Sequence, residues 1–181
     1  SVVPNLSQTI LSAVALLIGQ EPIMVSNQIK TDLSITIDNP DQLGKDLIVN
    51  AVTALETYAT PIVIFDMGTA TTVSVIDKQG NYAGGMIIPG VGLSLEALSN
   101  QASQLPHISL DAPPRIIGKN TTHCMQSGII FGTAAMIDGI IERIAADLGE
   151  MPTLLAMGGL AGMIVKHCNH SIICDDKLML K

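Results

Sequence analysis

The chain contains no tryptophan, and its aromatic residues are limited to two tyrosines and two phenylalanines among 181 residues. A core must therefore be built from Ile, Leu, Val, Met and Ala, within a hydrophobic content of 48%, which is enough to bury one sizeable core. Stacking of a nucleotide base on an aromatic face is nearly unavailable. A bound base would have to lie against glycines and aliphatic side chains.

Positive charge is also scarce. Nine Lys and Arg residues stand against sixteen Asp and Glu residues, which gives a formal net charge of -7, and the sequence contains no basic cluster. Nucleic acid and anionic membrane surfaces are therefore not expected as partners. Any anionic ligand must be bound by local groups.

Paired cysteines and long apolar runs are missing as well. Cys124, Cys168 and Cys174 are odd in number and lack C-x-x-C spacing, which favours a reducing cytoplasm over a disulfide framework. The apolar run over 10–18 is shorter than the roughly 20 residues that cross a bilayer, and it predicts a buried helix. Because the sequence starts at Ser1 without a methionine, we expect it to be a piece of a longer protein.

Hydrophobic periodicity predicts alternating helices and strands. The Asn39-Pro40 pair has the form of a helix N-cap and first position, so Gly44, Lys45 and Asp46 fall in the early turns of a helix. The predicted helices cover 5–18, 40–58, 93–103, 121–148 and 160–167. The predicted strands cover 22–25, 62–65, 71–76, 82–88, 153–157 and a segment near 172, while 105–117 is a loop with at most one short strand. This order predicts an α/β layer structure with a mixed sheet.

The segment 61–72 carries the strongest chemical signal. An apolar run over 62–65 ends on Asp66, and Gly68 then lets a phosphate approach the backbone. Thr69 and two following threonines offer donors to anionic oxygens, while the Asp66 carboxylate suits potassium, magnesium or a water of hydration. The alternative is an ordinary strand, turn and strand in which threonine serves β-propensity.

Further short motifs follow each other along the chain. They are Ser1-Val-Val-Pro4, Gly44-Lys-Asp46, Asn50-Ala51, Asp66-Met-Gly-Thr-Ala-Thr-Thr72, Gly84-Gly85, Pro89-Gly90, Leu95-Glu-Ala-Leu98, Leu105-Pro106, Gly118-Lys-Asn-Thr121, Gln126-Ser-Gly128 and Gly158-Gly159. In this order they resemble the type III pantothenate kinases, a family of the acetate and sugar kinase, actin and heat-shock ATPase group. The resemblance covers nearly the whole chain, and the order of the motifs makes it specific.

The resemblance implies an α/β protein with a ribonuclease-H-like (actin-like ATPase) fold, in which helices flank a mixed sheet. Residues 1–60 would form the remainder of an N-terminal lobe and a connecting helix with the catalytic Asp, and 61–181 the C-terminal lobe. The implied activity is phosphorylation of pantothenate by ATP, the first step of coenzyme A biosynthesis. Potassium or ammonium, Mg²⁺, a cytoplasmic location and a homodimer whose interface helps form the pantothenate pocket are also implied.

Residue roles are implied position by position. Asp46 matches the general base that takes the proton from the pantothenate alcohol, although a first-turn carboxylate also stabilises a helix. Asp66 matches the ligand of the monovalent cation. Substrate contacts are matched by Gly44, Lys45, Asp46, Leu47 and Thr121, and nucleotide contacts by Gly68, Thr69, Gly158 and Gly159. For Thr121, the alternative is an N-cap of the helix 121–148.

Two positions depart from the family pattern. Leu47 stands where the family has Arg, and Ile37 stands near where it has Tyr, so a charge and a hydroxyl are lost. The family's first phosphate-binding strand, with Asp-x-Gly-Asn-Thr, is expected upstream of Ser1. Two alternatives follow: a catalytically altered paralogue that acts as a nucleotide-binding or regulatory module, and a kinase of the same fold with another small substrate.

A weaker signal lies near the end of the chain. His167, Cys168 and His170, with Cys174 nearby, have the residue types of a zinc site, but their spacing matches no usual structural zinc pattern. We therefore interpret this segment as a helix end followed by a strand.

Overall fold

The computed structural model describes residues 4–23, 25 and 31–180, so the first three residues of the Ser1 motif lie outside the described chain. Helices in the described part are α1 (Pro4–Ile18), α2 (Lys45–Thr57), α3 (Val91–Gln101), α4 (Thr121–Leu148) and α5 (Ala161–Val165). Strands there are β1 (Ile62–Met67), β2 (Ala70–Ile76), β3 (Tyr82–Pro89), β4 (Thr153–Met157) and β5 (Ile173–Cys174). Short 3₁₀ turns cover Pro40–Gln42 and Leu178–Leu180.

The strands form one mixed sheet in the order β3-β2-β1-β4-β5. Strand β2 is antiparallel to both β3 and β1, whereas β4 is parallel to β1 and β5 is parallel to β4. The predicted mixed sheet is thus confirmed. Near the end of β1, Asp66 pairs with Thr72 of β2 on one side and with Met157 of β4 on the other.

Both faces of the sheet are covered by helices. Val63 and Phe65 of β1 pack on one face with Ile130 and Ile137 of α4 and with α5. Ile62 and Ile64 point to the other face, beside Leu155 of the neighbouring strand β4, and Ala51 and Ala54 of α2 cover them. Because successive strand residues face opposite sides, double coverage requires a continuous apolar run in β1, as the sequence has.

The predicted helix over 40–58 is divided in two. Asn39 precedes a 3₁₀ turn but makes no side-chain capping hydrogen bond. Leu43 is extended, with φ -65° and ψ 129°, and its side chain is buried in the core beneath α2. A new helix then starts, with Gly44 as its N-cap and Asp46 in its first turn. The break places the Leu43 side chain in the core. Helix α2 therefore starts anew and does not continue the 3₁₀ turn before it.

Three other predictions need correction. The described part of the predicted strand 22–25 contains no strand, whereas the segment 105–117 is a loop as predicted. Helix α5 is shorter than the predicted 160–167, because the chain turns at His167 to reach β5. The helix over 5–18 is confirmed but its predicted burial is wrong: its described side chains are exposed or half-buried, with Leu16 at 87% exposure.

Helix α2 rests directly on the strand face that carries Asp66.

The division of the chain into lobes 1–60 and 61–181 stays a prediction. Within the described residues, no helix combines the length and apolar character needed to cross a membrane.

Candidate functional site

Asp66 lies near the end of β1 and is half-buried. Its side chain is on the face of the sheet that α2 covers. Burial raises the pKa of its carboxyl above the ordinary value of 3.8, the negative charge of Asp46 raises it further, and a hydrogen bond from Asn50 lowers it in part. Asn50 Nδ2 donates this bond to Asp66 Oδ2 over 3.4 Å. The carboxylate therefore lies in an environment that disfavours an uncompensated negative charge.

Asp46 belongs to the first turn of α2, and its side chain folds back over the N-cap. A Cβ added at Gly44 would lie 2.5 Å from Asp46 Oδ1, which is closer than real carbon and oxygen atoms approach. Glycine at position 44 thus leaves the space that the Asp46 carboxylate occupies. An acidic side chain in a first turn also stabilises its helix, because the free amides there carry partial positive charge.

Asp46 also acts on a buried hydroxyl. Tyr82 is 3% exposed and its phenol oxygen lies 3.2 Å from the Ser74 hydroxyl. Burial raises the pKa of Tyr82, the hydrogen bond with Ser74 lowers it in part, and the Asp46 charge raises it again. The charge of Asp46 therefore acts on both Asp66 and Tyr82, which belong to two other elements.

The oxygens near Asp66 fit a cation. Asn50 is 1% exposed, and its buried Oδ1 has no hydrogen-bond partner among the described residues. Neither Asp46 nor Asp66 forms an ion pair with another residue that the structure describes. The Asp66 carboxylate, and the unpartnered amide oxygen of the residue that is hydrogen-bonded to it, are hard oxygen donors of the kind that potassium or Mg²⁺ prefers.

The turn between β1 and β2 presents Gly68 and Thr69 to solvent. Within the turn, the Gly68 N–H donates to the Ala70 carbonyl over 3.1 Å. The Gly90 N–H, which comes from outside the turn, donates to the Thr69 carbonyl over 3.1 Å. A Cβ at Gly90 would clash with that Thr69 oxygen. The start of α3 therefore supports the turn by close backbone contact, which leaves the Thr69 hydroxyl available to a ligand.

Gly158 and Gly159 follow β4 at the same end of the sheet. Gly158 has a φ of 95°, and a Cβ there would lie 2.7 Å from the Met67 carbonyl oxygen. Gly159 is exposed, and a Cβ added to it would meet nothing within 4 Å. The structure thus brings the two predicted nucleotide-contact segments together, because Gly158 lies against the residue that precedes Gly68.

Thr121 is the first residue of α4 and is exposed. The N-cap is Asn120, whose Oδ1 accepts a hydrogen bond from the His123 N–H over 2.8 Å. The alternative of Thr121 as the N-cap is therefore wrong. No hydrogen bond in the described chain links Thr121 to Asp46 or Asp66, so its role as a substrate contact stays a prediction.

Two cavities meet near Asp46. The first, which we call the acceptor cavity, has a volume of about 620 Å³ and lies between the segment 37–44, Leu47 and strands β2 and β3. The second has a volume of about 570 Å³, lies against α1 and is lined by Lys45 and Asp46. Since Gly44 lines the first cavity and Asp46 the second, the carboxylate stands at the boundary between them.

The sequence analysis missed Asn50 and Tyr82 as members of this region. Asn50 lies four residues after Asp46 and so shares its helix face, which is a local signal that could have identified it. Tyr82 gave no such signal, because only the pairing of β3 with β2 brings its hydroxyl to Ser74.

Hydrogen bonding and burial account for the segment near the chain end that carries His167, Cys168 and His170. Buried Asp138 of α4 accepts hydrogen bonds from the backbone N–H groups of Asn169 and His170. Burial, with the Asp138 charge, raises the pKa of Cys168 to about 12, so its thiol is protonated at neutral pH. No group of three His, Cys, Asp or Glu side chains in the described residues is arranged to hold a metal ion.

Replacing Asp66 with Asn is expected to stabilise the protein at pH 7 in buffer without potassium or ammonium. Because folding raises the pKa of Asp66, its contribution to stability is full below the ordinary pKa and is lost as the pH rises through the raised value. The amide introduced by the substitution keeps an oxygen that accepts the hydrogen bond from Asn50 Nδ2. Thermal unfolding should show a higher Tm for D66N at pH 7, with the difference shrinking toward pH 4.

Asp77 provides a control of opposite sign. Its slight burial raises the pKa, but hydrogen bonds from Asn81 and from the Gln79 N–H outweigh this and lower it. D77N should therefore reduce the Tm at pH 7. A D66N variant that loses stability at pH 7 as D77N does would contradict the charge environment described for Asp66.

Comparison with known proteins gives consistent similarities. A family model described as type III pantothenate kinase matches residues 1–143. The chain is 42% identical over 178 residues to the type III pantothenate kinase of Moorella thermoacetica, an alignment that covers 98% of this chain and 68% of that protein. Identity to the type III pantothenate kinase of Brevibacillus brevis is 39% over 181 residues, covering 100% of this chain and 71% of that protein.

Solved structures share the fold. The activator of the 2-hydroxyisocaproyl-CoA dehydratase from Clostridium difficile, with bound ADPNP, aligns with a TM-score of 0.52 at 16% identity, covering 96% of this chain and 77% of that one. The ethanolamine utilization protein EutJ from Carboxydothermus hydrogenoformans aligns with a TM-score of 0.54 at 15% identity, covering 97% and 69%. These likenesses concern the fold alone, and they confirm the predicted ribonuclease-H-like arrangement.

Proposed function

Because the chain belongs to the type III pantothenate kinase family, we propose that it catalyses ATP-dependent phosphorylation of pantothenate to 4'-phosphopantothenate, the first step of coenzyme A biosynthesis. The observation that carries the proposal is the hydrogen bond from Asn50 to Asp66, because Asn50 lies one helical turn after Asp46 and so links the helix that carries the first carboxylate to the strand that carries the second. The chain spans 68% and 71% of the two relatives compared, so the activity is proposed for the whole protein.

Asp46 acts as the general base in this proposal. The primary alcohol of pantothenate attacks the γ-phosphorus of ATP, the bond from that phosphorus to the bridging oxygen breaks to release ADP, and the alcohol proton passes to the Asp46 carboxylate. An alcohol is a weak nucleophile near neutral pH, so a carboxylate within hydrogen-bond reach accelerates its attack. The position of Asp46 beside Gly44, which lines the acceptor cavity, supports this role.

The nucleotide would lie along the turn and the glycine pair. The exposed Gly68, which has no side chain, would let a phosphate approach the backbone, and the Thr69 hydroxyl would contact phosphate oxygens. Gly158 with Gly159 would leave room for adenosine. Gly44, Lys45, Leu47 and Thr121 would contact the acceptor. These assignments are supported by the family match and by the closeness of Gly158 to the β1 end.

A monovalent cation, potassium or ammonium, fits the oxygen donors of Asp66 and Asn50. When bound it would offset negative charge on the phosphates, as would Mg²⁺. Asp66 holds its carboxylate at the strand end, and Asn50 orients it by donating a hydrogen bond. A homodimer in the cytoplasm completes the proposal by analogy with the family.

The direct test is a coupled assay of ADP release with ATP, Mg²⁺ and pantothenate. Turnover should require pantothenate and should occur in potassium or ammonium but fail in sodium alone. Sodium supporting the same rate would remove the cation role given to Asp66. Absence of pantothenate-dependent ADP release in every salt would remove the kinase activity itself.

A second candidate function is favoured by one observation. Leu47 and Ile37, where the family pattern has Arg and Tyr, both line the acceptor cavity. A paralogue with altered catalysis, acting as a nucleotide-binding module, would bind ATP without acceptor-dependent turnover, and one with another small substrate would turn over a different alcohol. Calorimetric ATP binding measured beside the ADP assay distinguishes these outcomes.

A further inference from the structure

The two cavities beside the start of α2 lie over different parts of the sheet. The acceptor cavity is bounded by β2, β3 and Leu47 of α2. The second cavity is bounded by α1, by Lys45, Asp46 and Val49 of α2, and by Met179 of the 3₁₀ turn that follows β5. Because the strand order is β3-β2-β1-β4-β5, the acceptor cavity lies on the β2 side of β1 and the second cavity lies on the β4 side.

The proposed nucleotide contacts point to the β4 side. Gly158 and Gly159 directly follow β4, and Gly158 packs against the Met67 carbonyl at the end of β1. A nucleotide on this side and an acceptor on the β2 side would meet at Asp46, which lines the second cavity beside Gly44 of the first. The transferred phosphoryl group would lie at this meeting point, next to the residues of the second cavity.

Lys45 supplies the positive charge at this place. Among the Lys, Arg and His residues of the described chain, it alone lines either of the two cavities. It is exposed, and it takes part in neither of the ion pairs that the described residues form. The adjacent Asp46 does not pair with it, because successive residues of a helix point to different sides. Its ammonium group, which only donates hydrogen bonds, is therefore available to an anion.

The position of Lys45 does not serve the stability of α2. Lys45 is the first residue of the helix, directly after the N-cap Gly44. The free backbone N–H groups at a helix start carry partial positive charge, so they favour an anion and disfavour a lysine side chain. A residue that breaks this local rule and has no ion-pair partner points to a ligand, and the same N–H groups would add to the attraction of an anionic one.

We propose that Lys45 is a catalytic residue whose ammonium group contacts the γ-phosphoryl group of the nucleotide during transfer. This inference rests on the proposed phosphoryl transfer and assigns a further residue to the same site. The alcohol oxygen bonds to the γ-phosphorus, the bond from that phosphorus to the bridging oxygen breaks, ADP leaves, and the alcohol proton passes to Asp46. Lys45 stays protonated throughout, and its charge offsets the repulsion that Asp46 and Asp66 exert on a polyphosphate.

The acceptor contact proposed above for Lys45 is compatible with this role. The phosphoryl group is bonded to the nucleotide before transfer and to the acceptor after it, so a side chain that contacts this group contacts both molecules in turn.

Nucleotide binding tests the contact without turnover. Titration calorimetry on the full protein with Mg²⁺ and no acceptor compares ADP with the non-hydrolysable β,γ-imido analogue of ATP. Lys45→Met is expected to weaken binding of the analogue by about tenfold and that of ADP by less than about twofold, while Lys45→Arg keeps the analogue within about threefold of the unmodified protein. Equal weakening of both nucleotides in K45M, unchanged binding of the analogue, or no binding of the analogue to the unmodified protein overturns the proposal.

Lys166→Met is the matched control. Lys166 is exposed at the C-cap of α5, and α5 packs on the face of the sheet opposite to α2. K166M therefore removes the same charge at a distance from the second cavity, and both nucleotides should bind as they do to the unmodified protein. A loss in K166M equal to that in K45M would reveal an effect of net charge alone and contradict the assignment of Lys45.

ADP release with pantothenate separates this inference from the proposed function. K45M should lower kcat by about tenfold to a hundredfold and leave the KM for pantothenate within about twofold, because the phosphoryl group loses a contact and the acceptor keeps its own. A raised KM for pantothenate with unchanged kcat would assign Lys45 to the acceptor carboxylate and overturn the proposal. If the unmodified protein shows no pantothenate-dependent ADP release while K45M selectively loses the analogue, the kinase function fails and the Lys45 contact stands; turnover without that selective loss does the reverse.

Discussion

Replacing Asp46 with Asn is expected to lower turnover by about 10²-fold or more while leaving ATP affinity largely unchanged. The amide keeps the size of the side chain and its place over Gly44 but cannot accept the alcohol proton. Because the proposed phosphate contacts come from the β1–β2 turn, loss of the carboxylate should not weaken nucleotide binding. The measurement is steady-state ADP release in parallel with calorimetric ATP binding.

Asp41 is the matched control for this variant. It is an exposed acidic residue in the 3₁₀ turn just before α2, so D41N removes one negative charge from the same segment without touching the proposed base. D41N should retain turnover within about twofold. If D46N retains turnover as D41N does, Asp46 only stabilises the start of α2.

Gly44→Ala tests the same carboxylate by moving it. The added methyl group would meet Asp46 Oδ1 at 2.5 Å, and because that atom ends a short side chain, the carboxylate can rotate away. We therefore expect a large loss of turnover with a Tm close to that of the unmodified protein. Full activity in G44A would show that the position seen for Asp46 is not the one used in the reaction.

The second large effect is expected on stability. Gly158→Ala should lower the unfolding free energy by about 2 kcal/mol or more and the Tm by about 5 °C or more. Alanine at a φ of 95° is strained, and its Cβ would lie 2.7 Å from the Met67 carbonyl oxygen, which belongs to a central strand and cannot move aside. Thermal and denaturant unfolding measure the loss.

Gly159 is the control, one residue further along. A Cβ at Gly159 meets nothing within 4 Å, so G159A should unfold at the Tm of the unmodified protein. If Gly159 also contacts adenosine, G159A should raise the KM for ATP without a stability change. Equal stability of G158A and G159A would mean that the turn after β4 does not pack on β1 as described.

The strand that carries Asp66 could be predicted because its pattern is local. A run of apolar residues bounded by turn residues indicates a strand covered on both faces, and Val63 and Ile64 are indeed buried on opposite sides. Helix α4 was predicted with its observed bounds because Gly149, in the left-handed conformation, ends it. Such signals lie within a few residues of the structure they specify.

Other elements could not be predicted because their outcome depends on distant residues. The break at Leu43 follows from burial of that side chain under α2, a contact that periodicity alone does not reveal. The predicted strand over 22–25 had apolar residues but finds no strand partner in the described sheet. The run 10–18 forms a helix, yet the described chain buries none of its side chains fully, so its apolar content misled the burial prediction.

The sequence by itself determined the chemical groups of the site and their order: a carboxylate after a helix start, a second at a strand end, hydroxyls in a turn and a glycine pair. Only the tertiary structure decided that Asp46 and Asp66 share one electrostatic environment, and that Leu47 and Ile37 line the same cavity. The physical reason is that residue type and periodicity act over a few positions, whereas these arrangements are set when α2 packs on the sheet and covers Ile62 and Ile64 of its central strand.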